Sequence, residues 1–315
     1  MKPIQYTQSG LSLVELMVAI TIGLIVSSAV GTIFIQSKAS YTQNDEINFL
    51  QDNGRYALNQ LASDLEVAGF FGGMAAPSAI TFAAGAPFLL TGSALECGPG
   101  TNWTYDASAP IGYDFAPSSS DVATNYPCIA GFQPGSDFLT IKRVRGNSVS
   151  ALADHTVYLL TDRSDGSFQI KPATLPSSQT AWEYYVHLYY LKNNTLKKLY
   201  LGWDDSKYAM RETDLAEGIE KFHIVFGIDS TTDTDGIPDF YTGSPTADEL
   251  ASAVTARIYV LARGTKEMAG YTNAKTYHLG DVTVDYSSNS DGYYRRVFST
   301  AVVLRNAAMI AKFSD

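Results

Sequence analysis

The sequence predicts an α+β protein, one long N-terminal helix packed on an antiparallel β-sheet. Three observations carry that expectation. An almost uninterrupted apolar run extends from Leu11 to Ile35, and no proline occurs between Leu11 and Ala68. From Ile47 to Ala68 apolar residues recur at three- and four-residue spacing, the helical period. Beyond Pro134, short segments rich in Tyr, Val and Ile alternate apolar and polar positions, as half-buried strands do. A helix and a sheet that each have one apolar face bury those faces against each other.

The N-terminus comes first. A polar leader ends in Ser9-Gly10, and Leu11-Ser-Leu-Val-Glu15-Leu-Met-Val-Ala follows, opening an apolar run long enough to span a bilayer. It carries one carboxylate, Glu15, and a charge in lipid is costly enough to require a role. Three readings compete. A secretory signal has a basic start, a shorter apolar core and a small-residue cleavage site, which Ser27-Ser28-Ala29 offers. Against it, only Lys2 is basic before the run, Glu15 interrupts the core, and the run continues past Ala29. A plain anchor accounts for the length and leaves Glu15 idle. Cleavage after Gly10 is the third reading. It creates an amine at Leu11, one helical turn from Glu15, so the two groups meet within a chain or across neighbouring subunits. With a pKa of about 8 the amine is charged at neutral pH, and a carboxylate in apolar surroundings prefers such a partner.

The pattern turns amphipathic beyond Ile35. Ile47, Leu50, Gly54, Ala57, Leu61, Leu65 and Ala68 form one face, and Gln43, Asn44, Asp45, Gln51, Asp52, Asn59 and Asp64 the other. Gly69-Phe-Phe-Gly-Gly73 stops the helix. A continuous helix would be roughly 85 Å long at ~1.5 Å per residue; the alternative is an anchor and a separate core helix, with a break between about Ser37 and Asn44. The expected organisation is a leader at 1–10, a transmembrane or filament-core segment at 11–36, and a periplasmic domain at 37–315 that includes the amphipathic half of the helix. Beyond Gly73 the chain reads as loop-rich up to Pro134, the cysteine pair included. Strands are expected at Phe138–Val144, Thr156–Leu160, Glu183–Leu191, Leu196–Leu201, Lys221–Ile228, Val254–Ala262, Tyr277–Val284 and Tyr293–Leu304.

Composition excludes some functions. A net charge of -10 without a Lys/Arg block argues against nucleic-acid binding and against docking on an anionic membrane surface. The two cysteines, Cys97 and Cys128, lie in a Gly/Pro/Ser/Asn-rich stretch. In an exported domain a disulfide between them is the natural reading, worth roughly 3–4 kcal/mol by loop-closure entropy. Two unrelated buried thiols are the alternative.

Candidates for chemistry are few. Asp229-Ser-Thr-Thr-Asp233-Thr-Asp235-Gly-Ile-Pro-Asp239 spaces oxygen ligands as a Ca²⁺ loop does, with Thr231 where a first Asp belongs and no bidentate Glu at Thr242. A solvated turn is the competing reading, because Asp and Gly favour turns without a metal. His155, His187, His223 and His278 show no metal-motif spacing. His187 and His223 fall in strand-like runs and read as packing or surface residues. No nucleophile elbow or phosphate loop occurs, and no dinucleotide fingerprint stands in a strand–helix context. The run Trp182-Glu-Tyr-Tyr-Val-His-Leu-Tyr-Tyr190 suits sheet core and cross-strand pairs better than a glycan-binding face.

Ser9-Gly10-Leu-Ser-Leu-Val-Glu15 resembles the class III signal of type IV prepilins and pseudopilins. The resemblance implies that a prepilin peptidase cleaves between Gly10 and Leu11 and N-methylates Leu11, although Phe is more usual there, and that Glu15 acts in subunit assembly. Gly54-Arg-Tyr-Ala-Leu58, Glu217-Gly-Ile-Glu-Lys-Phe222 and Arg295-Arg-Val-Phe-Ser-Thr-Ala-Val-Val-Leu-Arg-Asn306 are similar to segments of PilW-type minor pilins. That family implies an assembly protein rather than an enzyme, with other minor and major pilins as partners. It is held in the bacterial inner membrane and then in the pilus, at the tip or as a low-abundance subunit. A type II secretion pseudopilin and a secreted or pilus-tip adhesin are the alternatives.

Overall fold

The computed structural model describes residues 10, 12–74, 80–82, 97, 109–162, 164–170, 175–205, 207–230 and 235–306. Helix α1 spans Leu13–Glu66, 54 residues, and residues 37–44 are helical throughout, so the anchor and the core helix are one element. The chain divides into two compact units, Met1–Asn48 and Phe49–Asp315.

In the first unit every described side chain from Ser12 to Tyr41 is exposed. The helix carries a stretch long and apolar enough to cross a membrane. The hydroxyls of Thr21 and Thr32 donate to backbone carbonyls of the preceding turn, of Met17, Val18 and Ser28, and so need no water partner.

The second unit holds the sheets. Its elements are β1 (Ile80–Phe82), β2 (Ile111–Asp114), α2 (Ser119–Asn125), β3 (Phe138–Val144), β4 (Val157–Thr161), β5 (Gly166–Ile170), β6 (Thr180–Lys192) and β7 (Thr195–Asp204). There follow β8 (Lys207–Glu217), β9 (Ile219–Ile228), β10 (Phe240–Thr242), α3 (Ala247–Ala251), β11 (Ala253–Arg263), β12 (Thr276–Leu279), β13 (Val282–Asp285) and β14 (Arg295–Val303). Among the described residues an eight-stranded sheet runs β1-β5-β4-β6-β3-β2, with β7 pairing β6 and β8. A four-stranded sheet runs β10-β9-β11-β14, and β12 and β13 form a separate hairpin. Only the short β1–β5 pair among these is parallel.

The core lies where the end of α1 meets both sheets. Leu50, Ala57, Leu58, Leu61, Leu65 and Ala68 cluster with Tyr189, Leu191 and Leu196 of the larger sheet and with Phe222, Ile224, Phe226, Ile258 and Phe298 of the smaller one. Burying each such aliphatic side chain contributes about 1.5–3 kcal/mol. Gly54 allows the closest approach: a Cβ there would lie 2.3 Å from Cε2 of Phe298. The helix stops as its glycines require. Gly69 adopts φ 75° and its N–H donates to the Lys142 carbonyl at 3.1 Å, tying the helix end to β3. The aromatic run is mostly core, with Tyr184, Tyr189 and Tyr190 buried.

Some expectations need correction. The loop-rich stretch 74–134 also holds β1, β2 and α2, which were not expected there, α2 being opened by a Ser118/Asp121 capping box. Residues 277–284 form two strands turning at Gly280-Asp281, not one. Strand β8 was not expected, because Arg211, Glu212, Asp214 and Glu217 hide its period. Its charges are matched by β7, where Lys197 Nζ contacts Glu212 at 3.3 Å and also pairs with Asp214. Asp64, placed on the solvent face by periodicity, is buried.

Candidate functional site

Helix α1 begins directly after Ser12. The Ser12 N–H donates to Glu15 Oε2 at 2.8 Å and the Glu15 N–H donates to Ser12 Oγ at 3.2 Å, a reciprocal capping box. The signal in the sequence is Ser-x-x-Glu ahead of an apolar run, and it gives Glu15 a task within its own chain, holding the helix start. Gly10 is exposed, and a Cβ built there meets nothing within 4 Å. Leu11 lies outside the described residues. An accessible glycine, a capped helix start and a carboxylate on the first turn therefore stand at the tip of an exposed apolar helix.

The other sequence candidates separate in space. Cys97 and Cys128 are disulfide-bonded, with Cα atoms 5.8 Å apart. They pack with Val122, Tyr126, Phe138, Leu188 and Tyr190, so the bridge pins the segment containing α2 to the larger sheet. In the acidic loop Asp229 Oδ2 accepts the Gly236 N–H at 2.8 Å, Asp235 Oδ1 that of Ile237 at 2.8 Å, and Asp239 Oδ2 that of Ser230 at 2.9 Å. Asp233 lies outside the described residues. Among the described residues no three His, Cys, Asp or Glu side chains converge on a point able to hold a metal.

Two histidines belong to polar clusters that sequence reasoning missed. Asp64 receives Nε and Nη2 of Arg143 at 2.9 and 2.7 Å, the Tyr189 hydroxyl at 2.6 Å, and Nδ1 of His187. Burial pushes its pKa up, but His187, Arg143 and Tyr189 outweigh burial and hold the carboxyl well below the usual range. His223, fully buried, lies between Asp137 (Nδ1, 2.7 Å) and Asp281 (Nε2, 2.7 Å), and Tyr113 donates to Asp137 at 2.5 Å. A third cluster sets Glu220 against Arg295 at 2.6 Å, Arg263 at 3.2 Å and Tyr286 at 2.8 Å. Their partners are distant in sequence, which is why no motif announced them. Each cluster joins elements of the body, and none opens a nucleophile or a metal site.

Residues 6–31 match the prokaryotic N-terminal methylation motif, and residues 183–306 match the family model for type IV pilus-assembly protein W. Comparison with curated protein sequences finds no match. Among solved structures, a type IV-like pilin from Thermus thermophilus aligns at 11% identity over 84% of this chain and 98% of that one, with a TM-score of 0.36. A methylation motif on an exposed apolar helix that continues into a β-rich body defines a type IV pilin. Within that class the match of residues 183–306 to the PilW family, together with the methylation motif, supports a minor pilin in type IV pilus assembly. That family is a structural one, and it implies interaction with other pilins and the pilus machinery.

Proposed function

We propose that a prepilin peptidase cuts the Gly10–Leu11 bond, that Leu11 becomes the N-methylated terminus, and that Glu15 sets subunit register by pairing with a neighbour's terminal amine. The geometry at Ser12 and Glu15 supports this most directly: the carboxylate sits one turn inside the new terminus, exposed at the capped helix start. The open surroundings of Gly10 add support, because the fold itself makes no demand for glycine there. In this reading residues 11–36 are stored in the inner membrane and residues 37–315 face the periplasm, where the Cys97–Cys128 bond is stable. The chain then joins minor and major pilins as a tip or low-abundance subunit, without a cofactor.

Mass spectrometry of the mature N-terminus tests the proposal. Methylated Leu11 is the expected terminus, and a chain beginning at Val30 or at Met1 overturns it. Gly10→Val is expected to leave the precursor uncut, and a product of mature size would count against the assignment.

A further inference from the structure

The edges of the two sheets are protected unequally. Strands β1, β2 and β10 are three or four residues long. Strand β8 carries Arg211, Glu212, Asp214 and Glu217. Short or charged edge strands resist pairing with other chains. Strand β14 is less protected, its charges Arg295 and Arg296 being confined to its first two positions. It is nine residues long and closes the four-stranded sheet, and among the described residues only β11 is hydrogen-bonded to it. From Val297 to Leu304 it holds no charge and no proline, and it is rich in β-branched residues.

Its hydrogen-bonding direction follows from the ladder. The Leu304 N–H donates to the Val254 carbonyl, and the Tyr294 carbonyl accepts from Gly264, so even-numbered positions face β11. Val297, Ser299, Ala301 and Val303 therefore turn their N–H and C=O groups outward. The side chains of Ser299, Ala301 and Val303 are also exposed. A strand of this kind is a template for another strand.

Charge selects the occupant. Exposed Arg296 and Arg305 bracket the uncharged stretch, and exposed Arg257 lies opposite Ala301 on β11, on a chain whose net charge is -10. A second copy paired antiparallel brings Arg296 near the other copy's Arg305, and a parallel copy sets like residues side by side; both arrangements repel. We infer that the outer edge of β14 receives an extended, uncharged segment of a different pilin, flanked by Asp or Glu, which adds a fifth strand to this sheet. The identity of that neighbour rests on the assembly reading above, whereas the edge itself does not.

The test uses the full-length chain in its own bacterium, with the photocrosslinker p-benzoylphenylalanine placed at Ser299. Illumination is expected to join it to another pilin within an uncharged segment. An adduct to residues 307–315 of the same chain, to a second copy, or to nothing overturns the inference. Ala301→Pro removes an outward N–H that β11 does not use, and Ala301→Lys adds an edge charge without touching the backbone. Both are expected to be processed and held in the membrane as the unaltered chain is, with about tenfold less adduct and about tenfold less chain in sheared pili. Undiminished entry of both into pili sinks the docking role. Absence of the unaltered chain from pili would instead sink the assembly reading, and the Ser299 adduct is read independently of it.

Discussion

Ser12 and Glu15 satisfy each other's backbone N–H groups at the start of α1, so Glu15 is both a cap and a charge. The two roles separate by substitution. Glu15→Gln keeps an acceptor for the Ser12 N–H, worth about 0.5–2 kcal/mol to the helix, while Glu15→Ala keeps neither role. Both are expected to leave cleavage at Gly10 intact and to reduce incorporation into pili, measured as chain recovered in sheared filaments; normal incorporation of Glu15→Gln would mean that the cap alone matters. His223 makes a second prediction. Burial lowers its pKa, but Asp137 and Asp281 on its two nitrogens outweigh burial and raise it above 6.5. Both ring nitrogens then donate, and the imidazolium clasps the β12–β13 turn, through Asp281, to β9. A raised cationic pKa stabilises the fold fully below 6.5 and loses that contribution as pH climbs through the folded-state value. Asp281, pushed up by burial and further down by His223, works at the other limit, and its contribution fades as pH falls below 3.8. Thermal unfolding from pH 6 to 9 is expected to show the advantage of the native chain over His223→Gln shrinking as pH rises, from about 3 kcal/mol at the acid end.

Helix α1 and strand β14 approach closely at Gly54, which lies under the Phe298 ring. Gly54→Val improves helix propensity slightly, yet its side chain must displace a ring packed among Leu50, Ala57 and Ala262. Overpacking wins that comparison, and the variant is expected to lose about 2–3 kcal/mol in denaturant unfolding. The same contact shows how far elements were legible in the sequence. The apolar face of α1 could be read from Gly54, Ala57, Leu61, Leu65 and Ala68, all of which are buried. Strands β3, β6, β9, β11 and β14 could be read from their alternation, because a local period reports a buried face. Strand β8 could not, since its charges answer lysines on β7. Asp64 escaped for a related reason: helical spacing assigns a carboxylate to water, and only β3 and β6 supply the Arg143, His187 and Tyr189 that let it be buried.

Across the whole molecule, one covalent bond closes a chain whose remaining connections are packing and polar clusters. Cys97 and Cys128 are separated by 31 positions, so reduction frees a long loop and loosens Tyr126, Phe138 and Tyr190 together. Calorimetry of the reduced full-length chain is expected to show a loss of about 2–4 kcal/mol and a melting temperature lower by roughly 5–10 °C. The class of protein was legible at this scale from the first thirty-five residues, because leader, glycine, carboxylate spacing and apolar length are all local properties. The sequence by itself determined the apolar helix, its stop at Gly69, most of the strands and the resemblance to PilW-type minor pilins. Tertiary structure alone decided that Asp64 and His223 are buried in charged clusters, and that among the described residues β14 pairs with β11 alone. Each of those facts depends on groups tens to hundreds of residues apart in the chain, and no local period or motif records which distant group will arrive.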